Sequence, residues 1–93
     1  MHIATLEVRL HLPDARSLKD KRQVVKSILD RARHRFQVAA AEVGENDVHR
    51  IAVLGFAAVS GSLAHAEEVI QKLLSALLAH PAARVIEHEV DSV

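Results

Sequence analysis

The chain has 93 residues, 49% of them hydrophobic, and its twelve Lys and Arg balance twelve Asp and Glu to a formal net charge of zero. That length holds one core and not two, so a single domain over 1–93 is expected; the absence of Cys excludes a disulfide framework, a thiolate metal site and a cysteine nucleophile. The longest apolar run, Ile51 to Val59, is far shorter than the roughly 20 residues of a membrane helix, and the alternating letters after Met1 are not those of a signal peptide, so a soluble, cytoplasmic protein is expected.

From Ile3 to Leu12, Ala4, Leu6, Val8, Leu10 and Leu12 face one way while Thr5, Glu7, Arg9 and His11 face the other, the period of a half-buried strand. Pro13 to Ala15 break it. Ser17 then offers an N-cap hydroxyl with Asp20 three residues on, and a helix follows with Leu18, Val24, Val25, Ile28, Leu29, Ala32 and Phe36 in one apolar sector. Gln37 to Val43 is expected as a second strand ending at Gly44, with a turn at Glu45 to Asp47. Val48 to Ser60 reads as a third strand, apolar on both faces as a central strand is. Gly61 and Ser62 open a second helix, which runs to about His80 with Leu63, Ala66, Val69, Ile70, Leu73, Leu74, Leu77 and Leu78 buried, and Pro81 stops it. Arg84 to Val90 is expected as a short edge strand carrying Glu87 and Glu89.

The order βαββαβ, with right-handed crossovers, defines an α+β fold, the ferredoxin-like plait: a four-stranded antiparallel sheet with both helices on one face. Its other face is bare. Apolar letters on both sides of the second and third strands predict an apolar patch there, which favours a homodimer through the sheets.

Eight of the twelve basic residues lie between Asp14 and Phe36 against three acids, a local balance of +5 that leaves −5 for the remainder. On the helical wheel Lys19, Arg22, Lys26 and Arg33 fall within roughly 40° to 100° of Leu18, beside the apolar sector and on one stripe. Cations spaced about 5 to 6 Å apart along a helix can follow a phosphate backbone, each contact releasing a counterion. Arg16, Lys19, Arg22, Lys26 and Arg33 are therefore the candidate nucleic-acid-binding residues. Asp30 lies close to the stripe and weakens it. Lys21 and Arg35 fall nearer the apolar sector, where their stems are expected to cover the sheet edge while their heads reach water. A solvated helix face balanced by carboxylates of the same fold would need no ligand at all.

Little else in the chain points to chemistry. The run Leu54 to Val59 is similar to the strand of RNA-recognition modules that pairs Gly with aromatic residues, but only Phe56 could stack on a base. Seven His residues give no HxH or HxxxH pair; His2, His11 and His88 are the set that strand pairing could bring together. No Ser stands in a nucleophile elbow, no Gly-rich phosphate loop follows the first strand, and Pro13 to Arg16 is unlike the acylphosphatase loop. Glu42, Asp47 and His49 form the one loop cluster of titratable groups, and an enzyme working there would require a concave pocket. No catalytic residue, metal site or cofactor is assigned.

Arg16-Ser-Leu-Lys-Asp-Lys-Arg22, Ala41-Glu-Val-Gly44 with Asp47, and Val59-Ser60 followed by His65-Ala-Glu-Glu-Val69 give the chain a resemblance to the YlxP-like family of short bacterial proteins, over nearly its whole length. The resemblance implies a ferredoxin-like plait, dimerisation and a bacterial cytoplasmic setting. The family is a domain of unknown function without catalytic residues to carry over, and its genes often lie among those for translation initiation and ribosome maturation. Where the family pattern usually brings an aromatic residue and then a basic one after Asp47, this chain has His49 and Arg50. The expectation is a non-enzymatic accessory protein associated with RNA or ribosomal particles in translation or ribosome maturation, binding no membrane. The alternative is a dimeric protein-interaction or small-ligand regulatory module using the open sheet face.

Overall fold

Alternation in the first strand has a direct structural result: Ala4, Leu6, Val8 and Leu10 are buried against the helices, and Ile3, Thr5, Glu7, Arg9 and His11 lie on the opposite face. The computed structural model describes residues 1–93 and contains β1 (His2–His11), α1 (Leu18–Phe36), β2 (Ala39–Gly44), β3 (Ile51–Ser60), α2 (Leu63–Leu78) and β4 (Arg84–Ser92). The strands form one sheet in the order β2-β3-β1-β4, every pairing antiparallel, with both helices on one side. This is the ferredoxin-like α+β plait that the element order predicts.

Strands β1 and β3 are the interior pair, and their register sets Leu6 opposite Phe56 and Val8 opposite Leu54. Val25, Ile28, Leu29 and Ala32 of α1 and Ala66, Ile70, Leu73, Leu74 and Leu77 of α2 close over that floor, completing a cluster of 21 buried hydrophobic residues. At about 25 cal/mol per Å² of apolar surface removed from water, this cluster is the main source of stability. Phe56 is 3% exposed within it, so the one ring of the Leu54 to Val59 run is a core residue and not a stacking platform.

Helix α1 begins as its capping letters require. The Ser17 hydroxyl accepts the backbone N–H of Asp20 at 3.1 Å, and the Asp20 carboxylate accepts the N–H of Arg16 at 3.0 Å, one residue further back than in the usual box. Ser17→Ala is expected to cost about 1 kcal/mol, read as a fall in Tm of about 4 to 8 °C for a domain of this size.

Other boundaries differ from the sequence expectation for local reasons. Gln37 is left-handed at φ 54° and caps α1 by donating its N–H to the Arg33 carbonyl, so β2 starts at Ala39. Strand β3 starts at Ile51 and not Val48, because Val48 N–H turns back onto the Glu45 carbonyl at 3.1 Å and Glu45 is itself left-handed. Helix α2 ends at Leu78, two residues before His80; Leu63 and Leu78, at its two ends, are 36% and 60% exposed and not core. Strand β4 extends to Ser92 and pairs with β1 along most of its length.

Candidate nucleic-acid interface

Helix α1 lies over the β2 side of the sheet, and its apolar sector fixes where every cation points. Lys21 falls inside that sector, flanked one turn on by Val25, and is buried at 1% exposure. Its head does not reach water as expected. Lys21 Nζ donates to the carbonyls of Glu45 at 2.6 Å and Val48 at 2.8 Å, and stands 2.9 Å from Glu42 Oε2. The last contact is an ion pair without the angle of a directed hydrogen bond, leaving that carboxylate oxygen otherwise without a partner. The ammonium thus has three oxygen neighbours, two as hydrogen-bond acceptors and one as a counter-charge. Lys21 thus ties α1 to the β2–β3 hairpin, and it is lost to any ligand.

The expected stripe divides in two. Lys26 Nζ lies 2.6 Å from Asp30, Arg33 donates to the same carboxylate at 3.2 Å, and the other Arg33 amine donates to the Ala40 carbonyl on the edge strand at 2.7 Å. The hydrogen bond from Lys26 is the leading cause that holds the Asp30 carboxyl below its ordinary range, with the charges of Lys26 and Arg33 adding to it. Asp30 therefore offsets this half of the row, although both cations remain solvent-accessible. Arg16, Lys19 and Arg22 are exposed and make no ion pair. They lie at the start of α1, Arg16 just before the N-cap and Lys19 and Arg22 in the first turns, the end where the helix's own N–H groups also point outward.

Arg50, noted only as the basic residue of the family pattern and not among the candidate binding residues, borders this group. Its Nε donates to the Ala15 carbonyl at 3.4 Å, while the Arg50 carbonyl accepts the Leu12 N–H at 2.8 Å, so the hairpin turn and the approach to α1 share one wall. The signal for it was weak, since an isolated Arg in a turn has no periodic partner. Arg31 and Arg35 are also exposed and free of carboxylates, but they lie on the α2 side; Arg35 stands 5.2 Å from the centre of the Phe36 ring.

The remaining candidates disperse. His2 and His11 end a ten-residue strand, separated by about 30 Å, and His88 is opposite Val8 in mid-strand, so the three do not approach one another. No group of three His, Asp or Glu side chains could hold a metal ion. Glu42 is engaged by Lys21 while Asp47 is exposed, and neither the depressions on the open sheet face nor those beside the helices are lined by Glu42, Asp47 or His49. His80 is partly buried against Arg31, and burial first, then that charge, lowers its pKa; its neutral Nδ1 accepts the Ala82 N–H at 3.1 Å as part of the turn after α2.

Fold and surface together define a small ferredoxin-like α+β protein with a cationic first helix and no helix long and apolar enough to cross a membrane. A family model described as a protein of unknown function, DUF503, matches residues 3–90, and the chain belongs to that family. It is 40% identical over 68 residues to the uncharacterized protein YlxP of Bacillus subtilis (strain 168), a stretch covering 73% of this chain and 74% of that protein. The YlxP-like resemblance read from the motifs is therefore correct.

Proposed function

We propose that this protein is a non-enzymatic cytoplasmic accessory factor that binds RNA, on ribosomal particles, through phosphate contacts from the first turns of α1. The observation that supports this reading is the cluster of Arg16, Lys19 and Arg22, exposed and unneutralised, beside Arg50. Lys26 and Arg33 extend the surface as a weaker second half, since Asp30 competes for both. Phosphate binding of this kind is electrostatic and releases counterions. Three lost contacts reduce the slope of log K against log salt by about 2 to 3.

The combined variant Arg16→Glu, Lys19→Glu, Arg22→Glu is expected to abolish co-sedimentation with ribosomal particles at low salt while keeping the circular dichroism of the native fold. Lys26→Glu alone should weaken it far less, because that charge is already partly cancelled. Undiminished co-sedimentation of the triple variant would remove this reading. A second reading, an interaction module working through its sheet as a homodimer or with another protein, is supported by the exposed apolar residues Val43 and Val59 on the uncovered face. Such an interaction would persist in high salt if it were apolar alone.

A further inference from the structure

The face of the sheet away from the helices has its own shape and charge. A trough of about 470 Å³ runs across it, floored by Ala41, Gly55 and Ala57 and walled on the β1 and β4 side by Glu7, Glu89 and Asp91. Small residues make it concave. A Cβ at Gly55 would stand 3.1 Å from Val43 Cγ1, so glycine lets the Val43 side chain lie over β3 without filling the floor.

The register places Glu87 across from Arg9, Glu89 across from Glu7 and Asp91 across from Thr5, all on this face. None of the four carboxylates makes an ion pair, and the one cation among them, Arg9, reaches instead toward Glu45 at 3.7 Å. The free cations Lys19 and Arg22 belong to a helix on the opposite layer, and Arg16 immediately precedes its N-cap.

We propose that the open sheet face docks a Lys- or Arg-rich amphipathic segment of another protein, its apolar stripe in the trough and its cations on Glu7, Glu87, Glu89 and Asp91. A layer that leaves an apolar strip uncovered is completed by another element laid upon it. Small floor residues allow such an element to come close. The unpaired carboxylates select a cationic partner over an acidic one. They also disfavour a second copy of this chain: a two-fold contact that sets the strip against its equivalent brings four carboxylates from each copy together with Arg9 as the one cation of each, and one that sets it against Ala39, Ala41 and Val43 leaves the carboxylates unpaired. This surface is independent of the RNA reading, which uses α1.

The test uses the full chain and two synthetic helical peptides, one with an Ala/Leu stripe flanked by Lys and one with Glu in place of each Lys. The Lys peptide is expected to shift NMR amide signals of β1, β3 and β4, to weaken as salt is raised, and to lose at least about tenfold in affinity to a Glu89→Lys, Asp91→Lys variant. Blocking the floor with Ala57→Trp should remove binding, while the triple α1 variant should bind the peptide as well as the unaltered chain. Equal binding of both peptides, shifts confined to the helices, or no binding of the Lys peptide would overturn the proposal. So would sedimentation equilibrium showing a dimer that Ala57→Trp or the lysine substitutions dissociate, because the face would then belong to a second copy.

Discussion

Lys21→Met will destabilise the fold by about 3 to 5 kcal/mol, the range for breaking a buried ion pair from one side. The residue resembles its neighbours Lys19 and Arg22 in sequence, yet those are exposed and it is 1% exposed with three oxygen partners. Methionine fills the same volume but leaves the Glu42 carboxylate without its counter-charge, removes the ammonium donor from the Val48 carbonyl, and leaves the Glu45 carbonyl with only the Val48 N–H. Thermal unfolding should show a Tm lower by upwards of about 12 °C, whereas Lys19→Met should stay within about 0.5 kcal/mol. Adding Glu42→Leu to Lys21→Met should recover more than about 1 kcal/mol of the loss, because the stranded charge is removed with its partner. A single variant as stable as the parent would mean that the ammonium contributes no more than a surface contact.

Phe56→Ala is expected to cost about 3 to 5 kcal/mol, the range for emptying a buried aromatic site. Leu6 across the strand and the α1 and α2 residues above cannot collapse fully into the space, since strand register holds the floor in place. Phe56→Leu keeps most of the volume and should lose less than about 1.5 kcal/mol. Urea titration measures both. If the ring served RNA and not the core, Phe56→Ala would leave the denaturation midpoint unchanged and lower affinity instead; the expected outcome is the reverse, with the folded fraction retaining its affinity.

The contrast between these two residues and their sequence readings shows what letters alone disclose. Period two in β1 and the 3.6-residue period of both helices were legible, because each buries one face and the pattern follows directly. Phe56 was ambiguous because β3 is apolar on both sides, so its letters cannot say which face meets the helices. Lys21 sits in the apolar sector of α1, which raised the question of its role, but its partners come from Glu42, Glu45 and Val48, more than twenty positions away. Nothing in local periodicity records a contact of that range. Lys26 and Arg33 were visible as part of a stripe, and the weakening by Asp30 was also visible, because the three lie at spacings of three and four on one helix. Arg50 was missed as a neighbour of Arg16 for the same reason as Lys21: the hairpin that brings it there is a tertiary arrangement.

Each outer strand carries one irregularity. Val43 is the extra residue where β2 slips against β3, between Glu42 and Gly44, and Ile86 is the extra residue where β4 slips against β1. Bulges of this kind bend and twist a margin, and a distorted margin is a poor template for another chain's backbone. Both lateral rims of the sheet are thereby spoiled for ribbon-like growth, which guards a charge-neutral molecule, otherwise short of mutual repulsion, against stacking into fibres.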